Sequence, residues 1–198
     1  MSGEETQAKG ADGVRRAKLY LESTTRANVQ WVNPDKVAVP KLSFEWANDK
    51  TFSFDMGGIL LGGELQGQEF LAECKYYTSA QDQGTHYRRF LAQCYRAYNL
   101  RPDRCDKFLW VTWSPFLVND WGDLMTSEWV RDCVLMHRER VFNVANKEQA
   151  AELVSGDACK DVSERLGMVF ISEFQEKLTL SREHLGVIRQ YDTNKGDR

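Results

Sequence analysis

Glu73 and Lys75 stand two residues apart in QEFLAECKYY, residues 68–77. In an extended strand that spacing sends both side chains off the same face of the sheet. Such a pair is common on solvated strands, where it contributes about 0–1 kcal/mol and implies no chemistry. A second carboxylate sets this pair apart. Glycines at 57, 58, 62, 63 and 67 let the preceding segment, TFSFDMGGILL, turn back through Gly62, Gly63 and Glu64. A hairpin centred on Glu64 sets Asp55 opposite Glu73, where Cβ atoms sit about 4.5–5.5 Å apart and like charges repel unless a cation intervenes. Two carboxylates and a lysine on one face, flanked by Phe52, Phe54, Phe70, Leu71 and Ala72, suit Mg2+, which takes oxygen ligands and keeps several waters. In phosphodiester hydrolysis such an ion polarises a phosphoryl oxygen and acidifies a bound water. Asp55 and Glu73 are then the ligands, with the backbone carbonyl of Cys74 as a third and Mn2+ as a substitute ion. Lys75 orients or deprotonates the water and balances charge on the transition state.

The elements that must hold these residues follow from periodicity. Residues 10–27 carry an apolar stripe of Val14, Ala17 and Leu21, which predicts an amphipathic helix. NVQWVN predicts a short strand closed by the turn Asn33-Pro34-Asp35. Residues 41–46 and 51–61 alternate apolar and polar across Asn48-Asp49-Lys50 and read as paired strands. Residues 68–77 form a further strand. From 81 to 98 the spacing becomes helical, with Tyr87, Phe90, Leu91, Cys94, Tyr95 and Tyr98 at steps of three and four. CDKFLWVTWSPFLV, residues 105–118, predicts a buried strand. Beyond it lie expected helices at 126–141, 147–154, 160–167 and 181–190, and a strand at 168–172. The order implies one α/β domain with a mixed central sheet, a core over about 10–118 and a helical elaboration over about 119–198.

An acid at a strand end (Phe54-Asp55), a glycine-bearing hairpin, an E-x-K strand (Glu73-Cys74-Lys75) and a following helix (HYRRFLAQCYRAY) resemble the PD-(D/E)XK, restriction-endonuclease-like nucleases. The resemblance covers roughly residues 10–118 and implies an αβββαβ core. It implies a Mg2+-dependent endonuclease acting on DNA, with Asp55, Glu73 and Lys75 catalytic. Some members carry a glutamine in that helix with a tyrosine a turn beyond. Gln93, with Tyr98 or Tyr95, matches, and Gln93 is expected to touch the site by hydrogen bond. Phe54 stands where the family's namesake proline does. The acid often found in the opening helix has no clear counterpart: Val14 stands there, with Asp12 and Glu22 nearby, so one firmly held metal is expected rather than two. Restriction or phage-defence roles, common in the family, are the expected setting.

Composition narrows the partners. The 42% hydrophobic and 28% charged residues indicate a globular chain, and no run of 18 apolar residues marks a membrane span. The polar, acidic N-terminus is unlike a signal peptide, and the expected location is cytoplasmic. The five cysteines, odd in number and lacking a CxxC pair, read as free thiols. A net charge of -3 and pI near 5.7 exclude bulk electrostatic DNA binding, so contact must come from a local patch. Arg88, Arg89 and Arg96, with His86, are the candidates, against the reading of a solvated basic helix face. A homo-oligomer, or a partner that delivers DNA, is expected to compensate for the modest charge. RNA remains open as a substrate, because nothing in the sequence reads a 2′-hydroxyl. The spacing of Trp110, Trp113, Trp121 and Trp129 predicts core packing rather than base stacking. The alternative to an enzyme is a catalytically inactive nucleic-acid-binding or assembly module on the same fold.

Overall fold

A computed structural model describes residues 3–76 and 82–195. Tyr77 and Gln81, at the ends of an expected strand and helix, lie outside them. Helix α1 (Gly3–Thr24) leads into strand β1 (Ala27–Val32). A four-residue helix α2 (Val39–Leu42) precedes β2 (Ser43–Glu45) and β3 (Thr51–Ser53), which pair across the expected turn as a separate two-stranded sheet. The chain then enters β4 (Met56–Leu60), turns, and returns as β5 (Glu69–Lys75). Helix α3 (Gln83–Leu100) crosses to β6 (Lys107–Thr112). Next come α4 (Ser127–Met136), α5 (Arg138–Phe142), α6 (Lys147–Leu153), α7 (Gly156–Ser163), β7 (Leu166–Phe170), α8 (Glu173–Lys177) and α9 (Arg182–Lys195).

Among the described residues, five strands make the main sheet in the order β1-β4-β5-β6-β7. The first three are antiparallel neighbours, and β5, β6 and β7 run parallel. The fold is therefore α/β with a mixed sheet. Alternation along the strands splits the core in two. Leu71, Phe108 and Trp110 pack with α3, while Phe70, Ala72, Cys74 and Val111 pack with Ala17 and Leu21 of α1. The α3 side is aromatic: Phe54, Tyr87, Phe90, Phe108, Trp110 and Phe116 are almost wholly buried.

Two glycines are dictated by β4 lying between two strands. A Cβ on Gly58 would stand 2.0 Å from the carbonyl oxygen of Asn28, and one on Gly57 would stand 2.8 Å from that of Phe70. Residues 51–61 are accordingly not one strand. The chain leaves the small sheet after Ser53, and Phe54 and Asp55 carry it into the large one.

The C-terminal part departs most from expectation. The helix expected over 126–141 divides at His137 into α4 and α5. The helix expected at 160–167 lies earlier, at α7, because the Ser155 side chain accepts from Ala158 N and caps it, so Gly156-Asp157 opens the helix. The strand expected at 168–172 is β7, two residues earlier, and it extends the main sheet, while Ala158, Cys159 and Val162 of α7 join the α3 core.

Candidate active site

The register sets the site. Met56 faces Ala72, Gly57 faces Leu71 and Ile59 faces Glu69, a hairpin centred on Glu64. Asp55 directly precedes Met56 and Glu73 directly follows Ala72, so both stand at the open end of this hairpin. The backbone of Asp55 continues the ladder on both sides, with its N–H donating to Ala72 O at 3.0 Å and its carbonyl accepting from Asn33 N at 2.9 Å. Its carboxylate then replaces a strand: Oδ2 accepts from the N–H of Cys74 at 2.8 Å. Asp55 thus fills the partner position that opens where β4 begins, and its carboxylate is fixed against β5.

Glu73 and Lys75 leave the α3 face of β5, as Leu71 does. Lys75 Nζ lies 2.5 Å from Glu73 Oε1 and 3.9 Å from Asp55 Oδ2. One ammonium therefore serves two carboxylates. The other Glu73 oxygen, Oε2, is buried without a hydrogen-bond partner. So is Nε1 of Trp110, the residue paired with Glu73 in the parallel ladder. Burial, and then the Asp55 charge, raise the Glu73 carboxyl from 4.5 to about 7, against the opposing pull of Lys75 and Arg89.

Helix α3 brings its first turns to this point. Gln83 is fully buried, and its Oε1 accepts from Thr112 Oγ1 at 2.7 Å. That hydroxyl also lies 3.2 Å from the carbonyl of Lys75. Sequence reasoning missed Gln83, although helical spacing from His86 marks the same face. His86 lies close enough to Lys75 and Arg89 that, after burial, their charges depress its imidazole below the ordinary value. Arg89 is exposed and its charge reaches Glu73.

Other expected residues sit elsewhere. Among the described residues, no hydrogen bond joins Gln93 to Asp55, Glu73 or Lys75. Gln93 is buried in the core, beside Cys94, whose thiol the Glu73 charge helps to raise. The two tyrosines tie α3 to the C-terminal helices: Tyr95 Oη accepts from Ser155 N, and Tyr98 Oη donates to Asp161. The basic patch also divides. The Arg88 guanidinium stands over the Trp129 ring, and Arg96 Nε donates to Glu45 O, leaving Arg89 and His86 at the site. Asp12 and Glu22, on α1, pair with Arg15 and Arg16 and with Lys18, so neither is shown at the site.

Among the described residues, no three His, Cys, Asp or Glu side chains gather into a metal-holding group. The oxygens that could hold a cation here are those of the Asp55 and Glu73 carboxylates, of which Glu73 Oε2 is buried without a partner. A larger cavity, of about 580 Å³, lies apart from these residues between the end of α1, the β4–β5 turn and α9.

No protein-family model and no curated protein matches the sequence. One solved structure is similar. It is the Cap4 SAVED/CARF-domain containing receptor of Moraxella osloensis, at 10% identity and a TM-score of 0.41. The similarity covers 90% of this chain and 36% of that receptor, so the chain spans about a third of the receptor's length. Among the described residues, no helix is long and apolar enough to cross a membrane.

Proposed function

We propose that the protein is a Mg2+-dependent nuclease that hydrolyses phosphodiester bonds, in the first instance of DNA. The observation that carries this reading is the Glu73 oxygen buried without a partner beside a second carboxylate, with one lysine between them. When both carboxylates are ionised they carry one charge more than Lys75 offsets, Arg89 contributing less, and a divalent cation would favour that ionised pair. Asp55 Oδ1, Glu73 Oε2 and the Cys74 carbonyl are the atoms assigned to it, and Mn2+ is expected to substitute. Bound there, the ion would polarise a phosphoryl oxygen and supply an activated water. The succession α1, β1, β4, β5, α3, β6 supports the restriction-endonuclease-like reading, with α2, β2 and β3 as an insertion between its first two strands.

The chain's own residues prepare the site. The Cys74 N–H holds the Asp55 carboxylate in place before substrate arrives. Lys75 Nζ, kept over both carboxylates, can move toward a phosphoryl oxygen once a cation takes over their charge. The Gln83 and Thr112 pair steadies the strand end at the Lys75 carbonyl. Arg89 and His86 face the entering phosphate, and Arg89 carries the permanent charge. Because Arg88 and Arg96 are engaged within the fold, a second copy of the chain or a delivering partner is expected to supplement DNA affinity.

Titration calorimetry with Mg2+ and Mn2+ tests the assignment beside cleavage assays on duplex DNA, single-stranded DNA and RNA. Asp55→Asn keeps an oxygen for the Cys74 N–H while removing the charge. It is expected to lose cation binding and at least 100-fold in rate, in line with the 1.36 kcal/mol per tenfold relation. Nucleic-acid binding with no cleavage under either ion would instead identify an inactive binding module.

A further inference from the structure

Trp121 is 46% exposed although the spacing of the tryptophans predicts a core residue. Its ring lies 4.8 Å from that of Phe170 at 30°, and with Trp113, Pro115, Phe170 and Gln175 it lines a shallow pocket of about 290 Å³. Both indole N–H groups are already used within the protein: Trp121 Nε1 donates to Phe116 O at 2.8 Å, and Trp113 Nε1 to Glu176 at 3.1 Å. The rings are thereby held in place and offer faces rather than donors.

The pocket lies at the same strand ends as the catalytic cluster, with the buried Thr112 and Gln83 pair between them. Lys75 pairs with Thr112, and Thr112 with Phe170, in the parallel ladder. Paired residues project to the same face, so Phe170 stands two strands, roughly 10 Å, from Lys75. A nucleotide's own length from base to phosphate can bridge that separation.

We propose that the Trp121 and Phe170 pocket is a stacking subsite for one unpaired nucleobase of the substrate, seated beside the scissile phosphate. The proposal deepens the nuclease reading and rests on it for the phosphate's position. A base inside a duplex has both faces covered, so the occupant is a base from a single strand or one turned out of a helix. Every base has a π face and the indoles offer no free donor, so the subsite tolerates any sequence.

The test uses the full chain as Glu73→Gln in EDTA, which separates base binding from cleavage. The probe is a single-stranded oligonucleotide carrying 2-aminopurine, with the same strand in a duplex as comparison. Stacking predicts quenching of the single strand. It also predicts binding weaker by roughly 5- to 100-fold in Trp121→Leu, with recovery in Trp121→Phe. Because Trp121 lies at the surface, circular dichroism is expected to match across the set. Equal binding by Trp121→Leu and Trp121→Phe, or equal quenching of single strand and duplex, overturns the subsite. If no metal supports cleavage by the wild-type chain but the Trp121 pattern holds, the nuclease reading fails and the base subsite stands.

Discussion

Replacing Glu73 with glutamine should stabilise the metal-free protein at neutral and alkaline pH while leaving it nearly unchanged in acid. The fold raises the carboxyl from 4.5 to about 7, so over that interval the native state holds a proton that the unfolded chain has released. Stability therefore falls as pH rises through the interval. The contribution of the protonated group is fully present below about 4.5 and lost above about 7. At 1.36 kcal/mol per pH unit the loss amounts to about 3 kcal/mol. Glutamine keeps the shape of the neutral acid and removes the titration. Urea unfolding of wild type and Glu73→Gln in EDTA, at intervals across this range, gives the difference directly, and contributions from other groups cancel. The difference should be near zero at the acid end and about 3 kcal/mol in favour of the variant by about pH 8. Adding Mg2+ at ten times its dissociation constant should return about 1.4 kcal/mol to the wild type alone. A difference that stays flat with pH, or that grows in favour of the wild type, would refute the reasoning that burial and Asp55 together disfavour the ionised form.

Three further outcomes follow from packing. Phe54→Ala removes a wholly buried ring that meets Phe90 edge-on at 6.2 Å and is expected to cost about 3–5 kcal/mol in chemical denaturation. Arg16→Ala releases Glu176 and uncovers Tyr76, whose ring centroid lies 4.3 Å from the guanidinium carbon; hydrogen exchange over residues 173–177 should accelerate, with about 1–3 kcal/mol lost. Gly58→Ala places a methyl group against the Asn28 carbonyl and should part β1 from β4, read as loss of the near-ultraviolet dichroism of the native core.

How much of this was legible depended on whether the signal was local. The turn glycines and the alternation on either side set the hairpin register, so Asp55 could be placed against Glu73 from the sequence. The helical step through Tyr87, Phe90 and Leu91 likewise identified the buried face of α3. The level of α3 against the strands was not legible, because tertiary packing rather than local periodicity sets it. Gln83, which meets Thr112 beside the Lys75 carbonyl, was therefore not found, while Gln93 was expected at the site and no hydrogen bond to it is seen among the described residues. Arg88 and Arg96 looked alike in sequence to Arg89, and only tertiary neighbours, Trp129 and Glu45, distinguish them. Trp121 was misplaced for a similar reason: it follows β6 through a turn at Leu117, where strand periodicity no longer reports which way a side chain points.

The five cysteines give the fold a built-in set of reporters. Each is free and buried, on β5, on α3, just before β6, on α4 and on α7. Burial raises every one of these thiols, to about 12 for Cys105 and Cys133 and about 11 for Cys159. In the closed protein almost no thiolate meets the solvent, so an alkylating reagent must wait for the surrounding element to open. Chains that retain one cysteine at a time would turn labelling rates into local opening rates. Among them Cys74, whose backbone N–H holds Asp55, would report the loosening of β5 itself.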